Sequence, residues 1–540
     1  MKTFPIAKFN GFRGADELVI YDQGQTTGTN TYGLEACVLD GRVIKYGKNN
    51  NEIPEGGYVI SGHGKAALFI GEAVCIGAKI TIDRDNMLVT ADVDQRSLQI
   101  NAEGKIHVVQ KRLDDCIADK VDILRDKAEA LIAEAKVALE ERRFDDVDTL
   151  TEEAYYHTAR SVEGEIRGVW HRPHEHSEEE VEKTILRFKD AGFNLMLVET
   201  NYEGYANAQK CVHDYLPIRK GYEDGFDVIE SLIRNGKKHG VKIHAWFEDF
   251  FYGVSSTGCP MAKVHPEWMA CRKDGSLLLD AYDDFYFLNP ALPEVQELLL
   301  NSIKELLDQY DFDGLQLDYI RYPVIHGIEH SAGFEPVTKE MFKKDTGIDV
   351  DAIPDADHED WKAFTAWRAE KVTRYVKSVY DLIGEYRKAG REIQLSTAVF
   401  GNPDEAVRLK CQDWRYWVKQ GWLDAIYPMA YLNDAEDVGA EVAYMVKHYG
   451  EAPNISGIAP MYNHLPVIES TKQVEECRKA GAVGVAFFAT GSCSPVQLEK
   501  LKLGVFRNRY PLRKIHRLAG DGGSLFYAFC SRYCKSRTQS

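Results

Sequence analysis

Hydrophobic positions change their period twice along the chain. Over residues 1 to about 110, short apolar runs at 18–21, 36–39, 58–61 and 78–82 alternate with turn residues such as Asp40-Gly41 and Glu55-Gly56-Gly57. That pattern predicts short strands in a small sandwich or barrel. Between 112 and 162 the spacing becomes helical. Leu124, Ala128, Leu131, Ile132, Ala135, Ala138 and Leu139 recur among many charges, and a second helical piece follows at about 147–159. A helical hairpin joining two domains is expected there.

From about 165 to 505 strand and helix patterns alternate. Apolar strand candidates stand at 168–171, 194–199, 242–247, 314–318, 394–400, 425–431, 455–461 and 484–489. Amphipathic stretches at 178–190, 225–239, 293–309, 359–388, 404–419, 435–449 and 470–480 separate them. Such alternation requires parallel strands with crossover helices, and eight repeats suit a (β/α)8 TIM barrel in the α/β class. An open doubly wound sheet would carry a Gly-rich turn after its first strand, where Trp170-His171-Arg172-Pro173 stands instead. The expected partition is a β-rich accessory domain at 1–110, a helical linker at 111–163, the barrel at 164–505 and a tail at 506–540.

The 540 residues carry Lys+Arg 66 against Asp+Glu 84, a formal charge of −18. That field repels phosphates, so no nucleic-acid partner is expected. The tail is the exception, with Arg507, Arg509, Arg513, Lys514, Arg517, Arg532, Lys535 and Arg537 against Asp521 alone. No apolar run reaches the roughly 20 residues of a transmembrane helix. The N-terminus lacks a secretory apolar core, so the reading is cytoplasmic by default, or secreted if a leader is missing. Eleven scattered cysteines with no CxxC pair read as free thiols. The oligomeric state is not legible.

Chemistry in such a barrel belongs at the C-terminal ends of the strands. Strand one ends at Trp170 and His171, strand two at Glu199, and strand three carries His244 and Trp246 up to Glu248 and Asp249. Strand four ends at Asp318, followed by Tyr319, Arg321 and Tyr322, and strand six supplies Tyr427, Tyr431 and Asp434. Carboxylates and aromatics with few basic groups suit glycoside cleavage. One acid protonates the leaving oxygen while a second carboxylate attacks or activates water, and apolar sugar faces stack on rings. Asp318 stands out because Asp is a poor strand former and an unpaired buried carboxylate is costly, with Arg321 near enough in sequence to pair. His171, His174, His176 and His244 raise a metal-dependent hydrolase as a rival. The strand-five and strand-six positions such a barrel needs hold Ser396-Thr397-Ala398 and Tyr427, so no metal or other cofactor is expected.

The segment FYFLNPALPEVQELLLNSIKELLDQYDFDGLQLDYIRYP at 285–323 resembles the signature block of the glycosyl hydrolase-like 10 family, which is distinct from the xylanase family of the same number. EIRGVWHRP, GFNLMLVET and IHAWFEDF fit that family in order, as does the combination of Asn289-Pro290, Asp313-Gly314 and Asp318 to Pro323. The resemblance implies a barrel, a glycosidase activity on an oligo- or polysaccharide, and Asp318 as nucleophile or key carboxylate. Where amylase-type barrels place an Arg two residues before that Asp, Gln316 stands here. Glu248 is favoured as the second carboxylate, with Glu199, Asp434 and Asp249 as other candidates. A non-catalytic glycan-binding barrel is the alternative. Trp170, His171, His244, Trp246, Asn289, Tyr319, Arg321, Tyr322, Tyr427 and Tyr431 are the expected sugar contacts. Long insertions at 251–284, with Trp268, Tyr282, Asp283 and Asp284, and at 324–358 are expected to wall the cleft. The acidic body favours neutral or cationic sugars. The β-rich segment at the N-terminus resembles the entry region of phosphodiester-glycosidase-like proteins.

Overall fold

The computed structural model describes residues 1–29, 33–47, 49–280, 284–324 and 327–508. Most of the basic tail, together with Tyr282 and Asp283, lies outside the described residues. The chain forms two compact units, Met1–Ser161 and Val162–Ser540.

The first unit contains β1 (Lys2–Pro5), β2 (Lys8–Phe9), β3 (Leu18–Tyr21), β4 (Leu34–Leu39), β5 (Arg42–Gly47), β6 (Tyr58–Gly62), β7 (Lys79–Asp83) and β8 (Leu88–Asp92). They join one sheet in the order β1-β8-β7-β5-β4-β6-β3-β2. Two facing sheets are not needed, because helix α1 (Lys65–Ala73) covers the apolar face. Ala66, Phe69, Ile70 and Ala73, at helical spacing, bury against Ile20, Val38 and Ile60. Three helices follow rather than a hairpin: α2 (Gln95–Ala118), α3 (Arg125–Glu140) and α4 (Phe144–His157), sharing the core of Ile106, Val109, Ile132, Ala135 and Val147. The helical segment begins at Gln95 because Asp94 and Ser97 close a capping box there, with Ser97 N donating to Asp94 Oδ1 at 2.7 Å.

The second unit is a closed barrel. Its strands and short hairpins are β9 (Ile166–His171), β10 (Leu195–Glu199), β11 (Asn201–Tyr202) with β12 (Tyr205–Ala206), β13 (Lys242–Glu248), β14 (Phe251–Val254) with β15 (Phe285–Phe287), β16 (Gly314–Asp318), β17 (Gln394–Val399), β18 (Ala425–Pro428), β19 (Ile455–Ile458) and β20 (Gly484–Phe487). The eight long-range strands run parallel in the order β18-β17-β16-β13-β10-β9-β20-β19. Parallel bridges Ile426–Asn454 and Met429–Gly457 close the ring between β18 and β19. Every second residue points inward, so Ile166, Trp170, Leu195, Leu197, Trp246, Ala425, Tyr427, Ile455 and Ala486 fill the interior.

The crossover helices are α5 (Glu178–Asp190), α6 (Val228–His239), α7 (Pro260–Val264), α8 (Pro293–Gln309), α9 (Pro336–Thr346), α10 (Glu359–Lys388), α11 (Pro403–Lys410), α12 (Trp414–Lys419), α13 (Ala435–Tyr449), α14 (Val467–Lys479) and α15 (Pro495–Leu503). The single helix expected at 404–419 is broken in two, because Cys411 takes a left-handed φ of 54°. Among the described residues no helix is long and apolar enough to cross a membrane.

The two long insertions of the barrel are tied to each other. Asn289 Nδ2 donates to Glu335 Oε2 at 2.8 Å and to Thr338 Oγ1 at 2.7 Å, and Gly333 N donates to Cys271 O at 3.2 Å.

Candidate active site

The C-terminal ends of three adjacent strands carry inward-facing acids: Glu199 on β10, Glu248 on β13 and Asp318 on β16. Glu248 and Asp318 are register partners, so their backbones stand about one strand spacing apart, roughly 4.8 Å. Glu199 and Glu248 are fully buried, whereas Asp318 keeps partial exposure.

The surroundings of these acids differ. Asp318 Oδ2 accepts from Trp246 Nε1 at 2.9 Å, and Oδ1 accepts from the Tyr319 N–H at 2.7 Å. The second bond is available because Tyr319 turns into the left-handed region, with φ 49°. Burial raises the Asp318 carboxyl; the Tyr319 N–H, Arg321 and the Trp246 indole work against that rise. Glu248 is less well satisfied. Its Oε2 accepts from Glu203 N at 3.1 Å, but Oε1 has no hydrogen-bond partner among the described residues. Burial and the neighbouring Glu199 hold Glu248 well above the usual carboxylate range. Glu199 Oε1 accepts from Arg172 Nε at 3.0 Å, while Oε2 is unpartnered. Burial outweighs Arg172 there and pushes Glu199 up to about 8.

Arg172 contacts Glu199 directly, and its guanidinium is held by rings. Its guanidinium lies 4.6 Å from the Tyr202 centroid, 5.4 Å from Trp246 and 5.6 Å from Phe488. Phe488, just past β20, is the hub of an aromatic rim, with Tyr431 at 5.5 Å and Tyr462 at 5.3 Å between centroids. Tyr462 is 57% exposed, whereas Tyr202, Tyr431 and Phe488 are part-buried. The Tyr431 hydroxyl is pushed well above its ordinary value by burial and by Asp318, which places it in the field of that carboxylate. Glu203 reaches Glu248 because the β11–β12 hairpin turns tightly at Gly204. A Cβ at Gly204 would stand 2.3 Å from Tyr252 O, so glycine is required.

Other expected site residues lie elsewhere. Trp170 and Tyr427 form the floor inside the barrel, packed edge to face at 5.9 Å, with Trp170 Nε1 donating to Gln316 Oε1 at 2.6 Å. Gln316 therefore occupies the amylase-type arginine position as an indole acceptor. His244 sits four residues below Glu248, its ring over Gly314, and burial lowers it to about 4, so it is a neutral structural histidine. Asp249 points through the barrel wall to α10, where its Oδ1 accepts from Tyr375 OH at 2.7 Å. Asp434 caps α13, accepting from Glu436 N at 2.9 Å. Asn289, just past the first insertion, anchors the second through Glu335, and Tyr322 is buried beside Arg368, whose guanidinium lies 5.4 Å from the tyrosine ring centroid. Arg321 does not pair with Asp318. Its ion pair is with Asp280 at 3.3 Å, while its guanidinium lies 4.9 Å from the Tyr319 centroid and the Tyr319 ring stacks on Phe251 at 4.5 Å. His171 lies on the opposite strand face from Trp170, between Thr490 and Glu175.

Arg172, Tyr202, Glu203 and Phe488 are members of the candidate site that strand-end reasoning missed. Arg172 and Phe488 each stand one residue beyond a strand end, and only that adjacency signals them.

The model of the glycosyl hydrolase-like 10 family matches residues 165–453. Glycosyl hydrolase YngK of Bacillus subtilis (strain 168) is 24% identical over 268 residues, covering 45% of this chain and 46% of that protein. Glycosyl hydrolase DigH of Escherichia coli (strain K12) is 25% identical over 237 residues, covering 40% and 49%. The alignments thus span about half the length of these curated relatives. Among solved structures, the catalytic domain of beta-amylase from Paenibacillus polymyxa aligns with a TM-score of 0.47 and 13% identity, over 65% of this chain and 100% of that one. Since the family match spans the strands that carry Glu199, Glu248 and Asp318 and more than half of the sequence, the chain belongs to the glycosyl hydrolase-like 10 family.

Proposed function

We propose that the barrel hydrolyses O-glycosidic bonds of an oligo- or polysaccharide, with Asp318 as the anionic carboxylate and Glu248 as the proton donor. The observation that carries this reading is the opposite hydrogen bonding of two register partners. Asp318 accepts from two N–H groups, which favours its anion, while Glu248 keeps one oxygen unpartnered and favours its acid. A glycosidase needs such a pair: Glu248 passes its proton to the leaving oxygen, and Asp318 attacks the anomeric carbon or takes a proton from the attacking water. Burial keeps Glu248 protonated, and Arg172 limits the total negative charge around the acids. Tyr202, Tyr431, Tyr462 and Phe488 offer ring faces for sugar stacking. The joined insertions wall the cleft, and the first unit serves as an accessory domain. The name glycosyl hydrolase borne by both relatives agrees with this reading.

The test is turnover across a glycan and aryl-glycoside panel. Asp318→Asn is expected to lose roughly 10²-fold or more in kcat. Glu248→Gln is expected to lose as much on sugars with poor leaving groups, yet to keep activity on dinitrophenyl glycosides, which need no proton. Wild-type protein that binds glycans and turns over none of the panel would make the barrel a binding module. Deleting 255–280 without changing the substrate profile would remove the insertion from the cleft wall.

A further inference from the structure

We propose that His171, His174 and Glu175 form a zinc site that pins the loop carrying Arg172. The ligand-capable atoms of these three residues lie within 4.8 Å of one another. Two imidazoles and a carboxylate with one open position are an ordinary donor set for Zn²⁺. Both rings turn Nε2 toward the same carboxylate: His171 Nε2 lies 3.2 Å from Glu175 Oε2, and His174 Nε2 lies 3.7 Å from Glu175 Oε1.

The outer contacts are those a metal site uses to orient its ligands. His174 Nδ1 stands 3.2 Å from Arg172 O. A carbonyl oxygen can only accept, so that nitrogen carries the proton, and in the neutral ring Nε2 presents a lone pair to an anionic carboxylate. Two acceptors that face each other across a neutral ring are satisfied by a cation between them. His171 Nδ1 is held by Thr490 Oγ1 at 2.9 Å. Glu175 is fixed at both oxygens, by Thr184 Oγ1 at 2.6 Å and by the His174 N–H at 3.0 Å. Glu175 and His171 are buried, whereas the His174 side chain is 67% exposed, which leaves the fourth position open to water.

The place of the site defines its role. His171 and Trp170 point to opposite faces of β9, so the ion lies outside the barrel interior and away from Asp318. Its ligands flank Arg172, whose side chain contacts Glu199. The ion is therefore structural, fixing the backbone from which Arg172 reaches the acids.

The test is metal content of the full chain, equilibrated with zinc, dialysed and analysed by plasma mass spectrometry. About one zinc per chain is expected, with Co²⁺ giving the visible absorption of a low-coordinate nitrogen–oxygen site. His174→Ala, a change at an exposed ring, should fold as wild type by circular dichroism and lose the metal. His176→Ala, two residues on, should retain it. Zinc should raise the Tm of wild type and not of His174→Ala. Wild-type protein without stoichiometric zinc, or His174→Ala with undiminished zinc, overturns the proposal and leaves direct hydrogen bonding to Glu175 as the account of the cluster.

Discussion

A protonated acid pair buried in the barrel makes its stability fall as pH rises, and Glu248→Gln measures this without any substrate. Glu199 and Glu248 are both raised, Glu199 to about 8 from 4.5. Unfolding returns them to water, where they ionise at their ordinary values. Between pH 4.5 and about 8 the folded barrel therefore binds more protons than the unfolded chain. The associated stability is fully present below the lower value and is lost as pH climbs through the upper one. At about 1.36 kcal/mol per pKa unit, the elevation of Glu199 alone corresponds to a ceiling of about 5 kcal/mol. Relaxation of the site and partial hydration reduce this to roughly 2–3 kcal/mol. The amide introduced by Glu248→Gln preserves the shape and the bond from Glu203 N and cannot ionise. The variant should match wild type to within about 0.5 kcal/mol near pH 5 and be the more stable of the two near pH 8, by an amount of the same order as that worked for the neighbouring Glu199, roughly 2–3 kcal/mol. All eight tryptophans lie between Trp170 and Trp422, so urea unfolding followed by tryptophan fluorescence reads the barrel unit alone. An equal gap at both pH values, with unchanged m, would refute the account of these acids.

Three further outcomes follow from the packing. Asn289→Ala strips the Glu335 carboxylate of a buried donor, so urea unfolding should show a loss of about 2–4 kcal/mol and limited proteolysis should cut more readily within 255–280. Gly314→Ala places a Cβ 2.7 Å from the His244 ring, and overpacking of about 1–3 kcal/mol should appear as a lowered Tm. Asp249→Asn keeps an acceptor for Tyr375 OH on the outer side of the wall. Turnover should stay within about 2-fold of wild type while Asp318→Asn loses most of it, and a comparable loss in both would place Asp249 in the chemistry.

The barrel was legible because parallel strands covered by helices on one side and core on the other are apolar on both faces. Runs such as 194–199 and 484–489 stand out without any alternation. The site was legible only in part. Strand-end position selected Asp318, Glu248 and Glu199, but it also admitted Asp249, which alternation excludes, since Trp246 and Glu248 share a face that Asp249 cannot. His244 shares that face at the wrong height, and height depends on where the strand ends. Asp434 carried a capping signature in Asp434-Ala-Glu436-Asp437 that reads as a helix start. Arg172 and Phe488 were illegible because their roles depend on how loops from β9, β10 and β20 meet. The pairing of Arg321 with Asp280 depends on the fold of an insertion that periodicity does not describe.

Both hydrogen-bond donors to Asp318 belong to the wall of the barrel: an indole on β13 and the first N–H after β16. Neither comes from the insertions that differ most in kind from a minimal barrel. The proposed chemistry and the proposed selectivity are therefore built on separable parts. Under the proposed glycosidase function, replacing an insertion would change which glycan is admitted while the hydrogen bonds to Asp318 stay fixed, so the scaffold would be open to diversification by loop exchange.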